Sequence, residues 1–397
     1  MVNRKHVLFV VENQSVPYDV RVWNEARAVK EMGYDVSAVC PVNERATKKY
    51  ERIQGIDIYR HPAPVEANGK AAFLFEYLNA LIWELILCFR VFRKKPFHII
   101  HAANPPDHVF LIAKFFKPLG VKFVFDHHDL CPENYVAKFG RKDLFYRILL
   151  LMEKLTFQTA NIVISTNESY KKIAINRGKK RESEVFVVRN GPDLTKIPQV
   201  KPNPELKKGF DYLVAYLGVI GTQEGIDVLL KAIDYIVHER GISNIKFVIV
   251  GTGPNWANMV ALSNKLGLDG NVEFTGFIPY QKLYEILATA DLCVNPEFRN
   301  EFTDKSTMIK IMDYMTFGKP IVQFYTTEGE ETAGSSAVYV KNNDVMDFGD
   351  AIIELLSDPE RRKRLGEIGR ARIEKRLHWG VQKRNLQEAY QRLVSKM

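Results

Sequence analysis

Cysteine is scarce, with four among 397 residues, at positions 40, 88, 131 and 293. They lie tens of residues apart and form no Cys-x-x-Cys. That spacing excludes a zinc ribbon and a disulfide framework, and it reads as buried thiols of a reducing compartment. No apolar run is both long and free of charge. The longest, 71–92, carries Glu76, Glu84 and Arg90. A charge at a bilayer centre costs about 2.5–3.5 kcal/mol, so this run is not expected to span a membrane. The apolar run near the N-terminus stops at Glu12, too soon for a signal peptide. Internal repeats and low-complexity tracts are missing too. So is any recognition-helix, zinc or RNP-like pattern, which sets nucleic acid aside as a partner.

What is present is ordinary for a globular chain. The net charge is +9, and the apolar and charged fractions are 46% and 26%. These values exclude wholesale disorder and coiled coil. The basic balance leaves an anionic membrane surface or an anionic small molecule as partners.

Short β-branched runs alternate with longer helical stretches. Residues 6–11, 35–40, 56–60, 98–102, 122–125, 162–165 and 185–188 read as strands. They are almost continuously apolar, the mark of strands covered on both faces. Helices are expected between them, at 20–32 and 144–159. The rhythm restarts with strands at 212–217, 246–250, 272–275, 292–295, 320–324 and 337–340, separated by helices such as 227–239 and 280–289. Between the two sets, 192–209 is rich in proline and lysine, as a linker is. The fold class is therefore α/β, with two Rossmann-like doubly wound domains, 1–195 and 209–375, facing a cleft. A charged helical tail follows.

In such sheets ligands bind beyond the carboxyl ends of the strands. Two glycine turns lie there in the second domain. One holds Gly218, Gly221 and Thr222; the other holds Gly251 and Gly253. Glycine lets a backbone approach a phosphate, although such turns also arise for packing alone. Further on, Lys305, Ser306, Thr307 and Met308 lead into a helix ending near Gly318. Ser306 and Thr307 are placed to cap it, and Lys305 to neutralise a phosphate. Lys310 and Asp313 share one helix face, where Asp313 suits two ribose hydroxyls or else a surface ion pair.

In the first domain Asp126-His127-His128-Asp129 ends a strand. Two imidazoles between carboxylates admit a metal site, a base, or a hydrogen-bonded pair. The polar turn with Asn13, Asp19 and Arg21 lies at the same edge. So does the proline-fixed turn after His101 that contains Asn104.

The stretch Met312-Asp313-Tyr314-Met315-Thr316-Phe317-Gly318-Lys319-Pro320, behind the glycine turns, resembles the nucleotide-sugar half of a GT-B glycosyltransferase of family 4. Arg189-Asn190-Gly191-Pro192-Asp193 is similar to the turn closing the first domain in that family. Phe274-Thr275-Gly276-Phe277 resembles its base-side loop, and the tail, 376–397, its helix that crosses back to the first domain. The resemblance covers the whole chain. It implies donor contacts from Gly218, Gly221, Thr222, Gly251, Gly253, Phe277, Lys305, Ser306, Thr307, Met308, Lys310 and Asp313. His128, Lys305 and Asp313 become the catalytic candidates, with His128 facing the sugar. Asn13, Asp19, Arg21, His101, Asn104, His127 and Asp129 become acceptor-side candidates.

Two departures stand out. Val219 and Glu224 occupy places where the family usually has Arg and Lys, and its pair of glutamates reads here as Lys305 and Asp313. The variant looks like a subgroup of bacterial polysaccharide-assembly transferases. Because the usual basic pair is missing, Lys305 and Lys310 are expected to balance the diphosphate in its place. The resemblance implies a retaining, metal-independent transferase without cofactor, using a nucleotide-diphosphate sugar (UDP favoured over GDP) and a glycan or polyprenyl-linked acceptor. A nucleotide-sugar epimerase and a non-catalytic nucleotide-sugar-binding protein are the alternatives. The aromatic stretch 71–95, with its basic end and with Phe115, Phe116 and Lys117, suits either a core helix or an anionic membrane interface. The expected location is cytoplasmic, peripheral on the inner face of the membrane.

Overall fold

The computed structural model describes residues 4–63 and 70–395, with side chains in the helix Lys70–Lys94 from Leu78 onward. Phe73, Phe75, Glu76 and Tyr77 thus lie outside the described side chains. The chain forms two compact units, one of 1–190 with 382–397, the other of 191–381.

In the first unit the strands are β1 (His6–Val10), β2 (Asp35–Pro41), β3 (Tyr50–Ile53), β4 (Ile56–His61), β5 (Ile99–Ala103), β6 (Lys122–His127), β7 (Ile162–Ser165) and β8 (Val185–Val187). They form a sheet in the order β3-β4-β2-β1-β5-β6-β7-β8. All pairs are parallel except β3 with β4. Every residue of β1 and β5 is buried, as continuous apolar runs require. The edge strand β3 was not foreseen. Its Tyr-Glu-Arg-Ile alternates exposed and half-buried positions, which reads as loop until a partner is known.

The second unit holds β9 (Tyr212–Leu217), β10 (Ile245–Val250), β11 (Val272–Gly276), β12 (Leu292–Asn295), β13 (Ile321–Phe324) and β14 (Ala337–Val340). They form a wholly parallel sheet in the order β11-β10-β9-β12-β13-β14. Chain order reverses between β9 and β12 here, and between β1 and β5 in the first sheet. Those are the switch points at which open α/β sheets leave a crevice. The expected helix 227–239 is two pieces, an α-helix Ile226–Asp234 and a π-helical turn Tyr235–Glu239.

The helix Lys70–Lys94 turns Ala80, Glu84, Leu87, Cys88 and Val91 into the core. Glu84, read from sequence as a charge opposing insertion, is buried and faces His108 Nε2 at 3.2 Å. Phe116 belongs to the core, whereas Phe115 is exposed. Among the described residues, no helix is long and apolar enough to cross a membrane.

Candidate active site

The loops after β9 and β12 flank the switch point of the second unit. Tyr314, on the helix Ile309–Thr316, ties the two strands together. Its hydroxyl accepts from the Leu217 N–H at 2.8 Å and donates to the Val294 carbonyl at 3.1 Å. The first glycine turn is held from below. Lys310 Nζ lies 2.6 Å from Glu297 Oε1 and 3.2 Å from the Tyr216 hydroxyl, which donates to the Val219 carbonyl at 3.0 Å. Burial pushes the Tyr216 phenol up to about 12. Lys310 is thus the cation of a nearly buried pair. Its charge is already met by Glu297, and it supports the turn instead of standing open to a diphosphate.

The second glycine turn also has a packing reason. A Cβ on Gly251 would sit 1.9 Å from the Gly218 carbonyl oxygen, and one on Gly253 would sit 2.6 Å from that of Ile220. The N–H groups of Gly218 and Ile220 donate to Val250 and Thr252. Gly218, Gly251 and Gly253 therefore seat loop on loop and leave no phosphate space where their side chains would be. Gly221 is half-buried, while Thr222 and Phe277 are exposed.

The capping expectation also changes. The helix Ile309–Thr316 begins at Met308 with no side-chain cap. Ser306 spends its hydroxyl on the Phe302 carbonyl at 2.9 Å, inside a turn organised by Asn300. Met308 offers the first turn no side-chain cap, and a helix N-terminus favours an anion. Gly318, at φ +63°, follows the helix end as expected. Asp304 is used structurally, accepting from the N–H and hydroxyl of Thr327 and pairing with Arg299 at 2.9 Å. Asp313 is different. It is half-buried, and burial alone among the described influences pushes its carboxyl up to about 7.

In the first unit the centre is Arg21. Its Nη2 lies 2.7 Å from Asp126 Oδ1 and 3.1 Å from Glu25 Oε1, and its Nε is 3.1 Å from Asp126 Oδ2. Nη1 donates to the Val188 carbonyl and to Asn190 Oδ1, both at 2.7 Å. Burial works against an ionised Asp126, yet Arg21 beside it outweighs this and holds its carboxyl well below the usual range. His101 lies 3.2 Å from Glu25 and accepts or donates at Tyr390 Oη, 2.8 Å away. Among the described residues Glu25, His101 and Asp126 are the one trio with metal-ligand spacing. The guanidinium already lies against both carboxylates, so a metal ion there would meet a fixed positive charge.

His128 Nε2 lies 2.5 Å from Asp126 Oδ2, and the ring is partly open. Burial lowers its basicity, but the Asp126 charge prevails and raises it. His127 points the other way. It packs 5.0 Å from the rings of Phe157 and Tyr170, and burial drives its pKa down to about 3. It is a neutral core residue, not an acceptor contact. His101 and Arg21 are likewise buried inside the cluster. Asn104 is buried too, clamping the turn by donating to Asp107 Oδ1 and the Asp129 carbonyl and accepting from the His128 N–H. Asp19 caps the helix Val20–Glu31 by accepting from the Val22 N–H at 2.9 Å, and does not pair with Arg21. Asp19, His128, Asp129 and the exposed Asn13 keep open surface at this edge.

Residues 18–191 match the Glycosyl transferase 4-like domain and residues 199–372 match Glycosyl transferases group 1. The chain is a family 4 glycosyltransferase of the GT-B type. An uncharacterized glycosyltransferase of Methanocaldococcus jannaschii is 21% identical to it over 91% of both chains. The sucrose-phosphate synthase of Thermosynechococcus elongatus shares the fold at TM-score 0.77 and 18% identity, over 99% of this chain and 100% of that one. The Anabaena protein HepE, solved with UDP, does so at TM-score 0.71 and 14% identity, over the same shares.

Glu25, Glu297, Tyr216 and Tyr314 of this glycosyltransferase were not singled out from sequence. The signal for Glu25 was there: it lies one helical turn after Arg21, on the same face. Nothing in the sequence pairs Glu297 with Lys310.

Proposed function

We propose that this glycosyltransferase moves a sugar, with retention and without a metal ion, from a nucleotide-diphosphate sugar held by the second unit to an acceptor at the first. Asp313 carries the reading. A carboxylate raised by burial, without a partner cation, on a helix with an uncapped N-terminus suits a ribose beside a diphosphate. UDP is favoured over GDP, in keeping with the UDP held by HepE. The acceptor is a glycan or a polyprenyl-linked sugar of cell-surface or exopolysaccharide assembly, met by a protein peripheral on the cytoplasmic leaflet. Charge grows on the leaving diphosphate, and donors already aimed at it supply on the order of 3–4 kcal/mol each. Lys310 is engaged by Glu297, and Lys305, in the loop before the helix Ile309–Thr316, is the side chain assigned to that charge.

Two measurements test this. A thermal-shift screen of UDP, GDP, ADP and CMP sugars should give its largest rise with a UDP sugar, because a ligand bound to the folded state stabilises by mass action. No rise with any of them overturns the reading. Lys305→Ala should slow transfer by about tenfold or more with an unchanged melting midpoint. An unaltered rate removes Lys305 from the diphosphate. Nucleotide released only when an acceptor is present separates transfer from epimerisation.

A further inference from the structure

Three neighbouring helices of the first unit share an outer face that none of the described residues covers. On the helix Lys70–Lys94, Ile82 and Ile86 are exposed one turn apart, at 55% and 44%. On its neighbour, Val109–Phe116, Leu111 and Phe115 repeat that spacing, at 39% and 57% exposed. On the next, Leu144–Thr159, Ile148 and Leu151 are exposed three residues apart, at 42% and 54%. Contacts join each helix to the next, Phe89 meeting Phe115 at 5.1 Å and Thr156 donating to the Asp107 carbonyl.

The charges sort by sign. Among the described residues of these helices, each acid is turned inward, Glu84 toward His108 and Glu153 toward Arg177. Every exposed charge is basic: Arg90, Arg93, Lys94, Lys114, Arg147 and Lys154. Part of the basic end expected to meet a membrane is engaged elsewhere. Lys94 lies over the rings of Tyr50 and Tyr59, and Lys95 pairs with Asp35 at 2.7 Å. Arg90 and Arg93 remain, lining with Ile86, Phe89 and Lys94 an open groove of about 610 Å³. Apolar side chains ringed by one sign of charge, with a basic groove among them, match an anionic lipid surface: the side chains enter the acyl boundary and the guanidinium groups meet phosphate.

We infer that the three-helix face, centred on Phe115 and Ile148 and not on 71–95 alone, docks the protein flat on an anionic phospholipid bilayer. The inference deepens the reading of a membrane-held acceptor, and its test does not depend on that acceptor. The full chain is floated with vesicles of phosphatidylglycerol and phosphatidylcholine in equal parts, and with phosphatidylcholine alone. Binding should require the anionic lipid and weaken in high salt. Phe115→Glu and Ile148→Glu, both at exposed positions, should each lower partitioning about tenfold or more. Arg90→Gln with Arg93→Gln should lower it and flatten the salt dependence. UDP-sugar thermal shifts, read on the second unit, should stay as in wild type for all variants.

No flotation at low salt overturns the inference and leaves the donor reading standing. So does binding that Ile148→Glu leaves intact, which would confine docking to the first helix. Concentration-dependent dimers that Phe115→Glu dissolves would make a second copy the occupant and also overturn it. Loss of the donor shift in wild type, with flotation retained, would sink the donor reading and spare this one.

Discussion

Replacing Arg21 with Ala should unfold the first unit more readily, not merely weaken acceptor binding. The guanidinium pairs with both Asp126 and Glu25, each wholly buried, and it also satisfies Val188 and Asn190. Removing one partner of a buried pair leaves an uncompensated charge and costs about 3–5 kcal/mol. In a unit of this size that is a fall of about 6–20 °C in the thermal midpoint. Lys should rescue little, because one ammonium cannot reproduce the two-pronged contact with Asp126 or reach both carbonyl acceptors. The pH dependence has a fixed sign. Asp126 has a lowered pKa in the folded state, so its contribution is present above about pH 4 and is lost as pH falls. The gap between wild type and Arg21→Ala should therefore narrow in acid. A wild-type midpoint with altered acceptor kinetics would return Arg21 to the acceptor-side role.

That reassignment marks where sequence reasoning stopped. Strand positions were legible because a parallel strand covered on both faces must be apolar throughout, and β1, β5, β7 and β9 were placed within a residue or two. The edge strand β3 was not legible, since its pairing with β4 rests on register across a turn. His127 and His128 are adjacent, and sequence proximity made both site candidates. Strand period separates them: His127 continues the face of Phe123 and Phe125, which lies in the core, while His128 follows the strand end. That signal was available. The partners of Arg21, which lie 105 and 167–169 residues away, were not, because no local pattern encodes them.

The same limit applied to the second unit. Two glycine turns behind strands suggested phosphate contacts, and geometry gives Gly251 and Gly253 to packing. Lys310 looked like a free cation because its partner Glu297 sits in a different loop. The ribose role of Asp313 that the resemblance implied is the one proposed above. What the structure adds is its isolation, which makes that role measurable.

Asp313→Asn should weaken donor binding by about 1.5–3 kcal/mol, roughly 10- to 150-fold, the range for hydrogen bonds to a charged group. The effect should depend on pH, because the carboxylate accepts from ribose hydroxyls more strongly than the protonated acid does. With its pKa raised to about 7 from 3.8, Asp313 is largely protonated at pH 6 and ionised at pH 8. Wild-type affinity should therefore climb between those values, measured by titration calorimetry, while the Asn variant should show no climb. Unliganded stability should move the opposite way. The folded protein holds a proton that the unfolded chain releases between about pH 4 and 7, so stability falls as pH rises through that window. Asn cannot ionise, so without donor the variant should melt higher than wild type at pH 8 and alike at pH 4. A folded variant with wild-type donor affinity, or one that keeps the climb, would take the ribose away from Asp313.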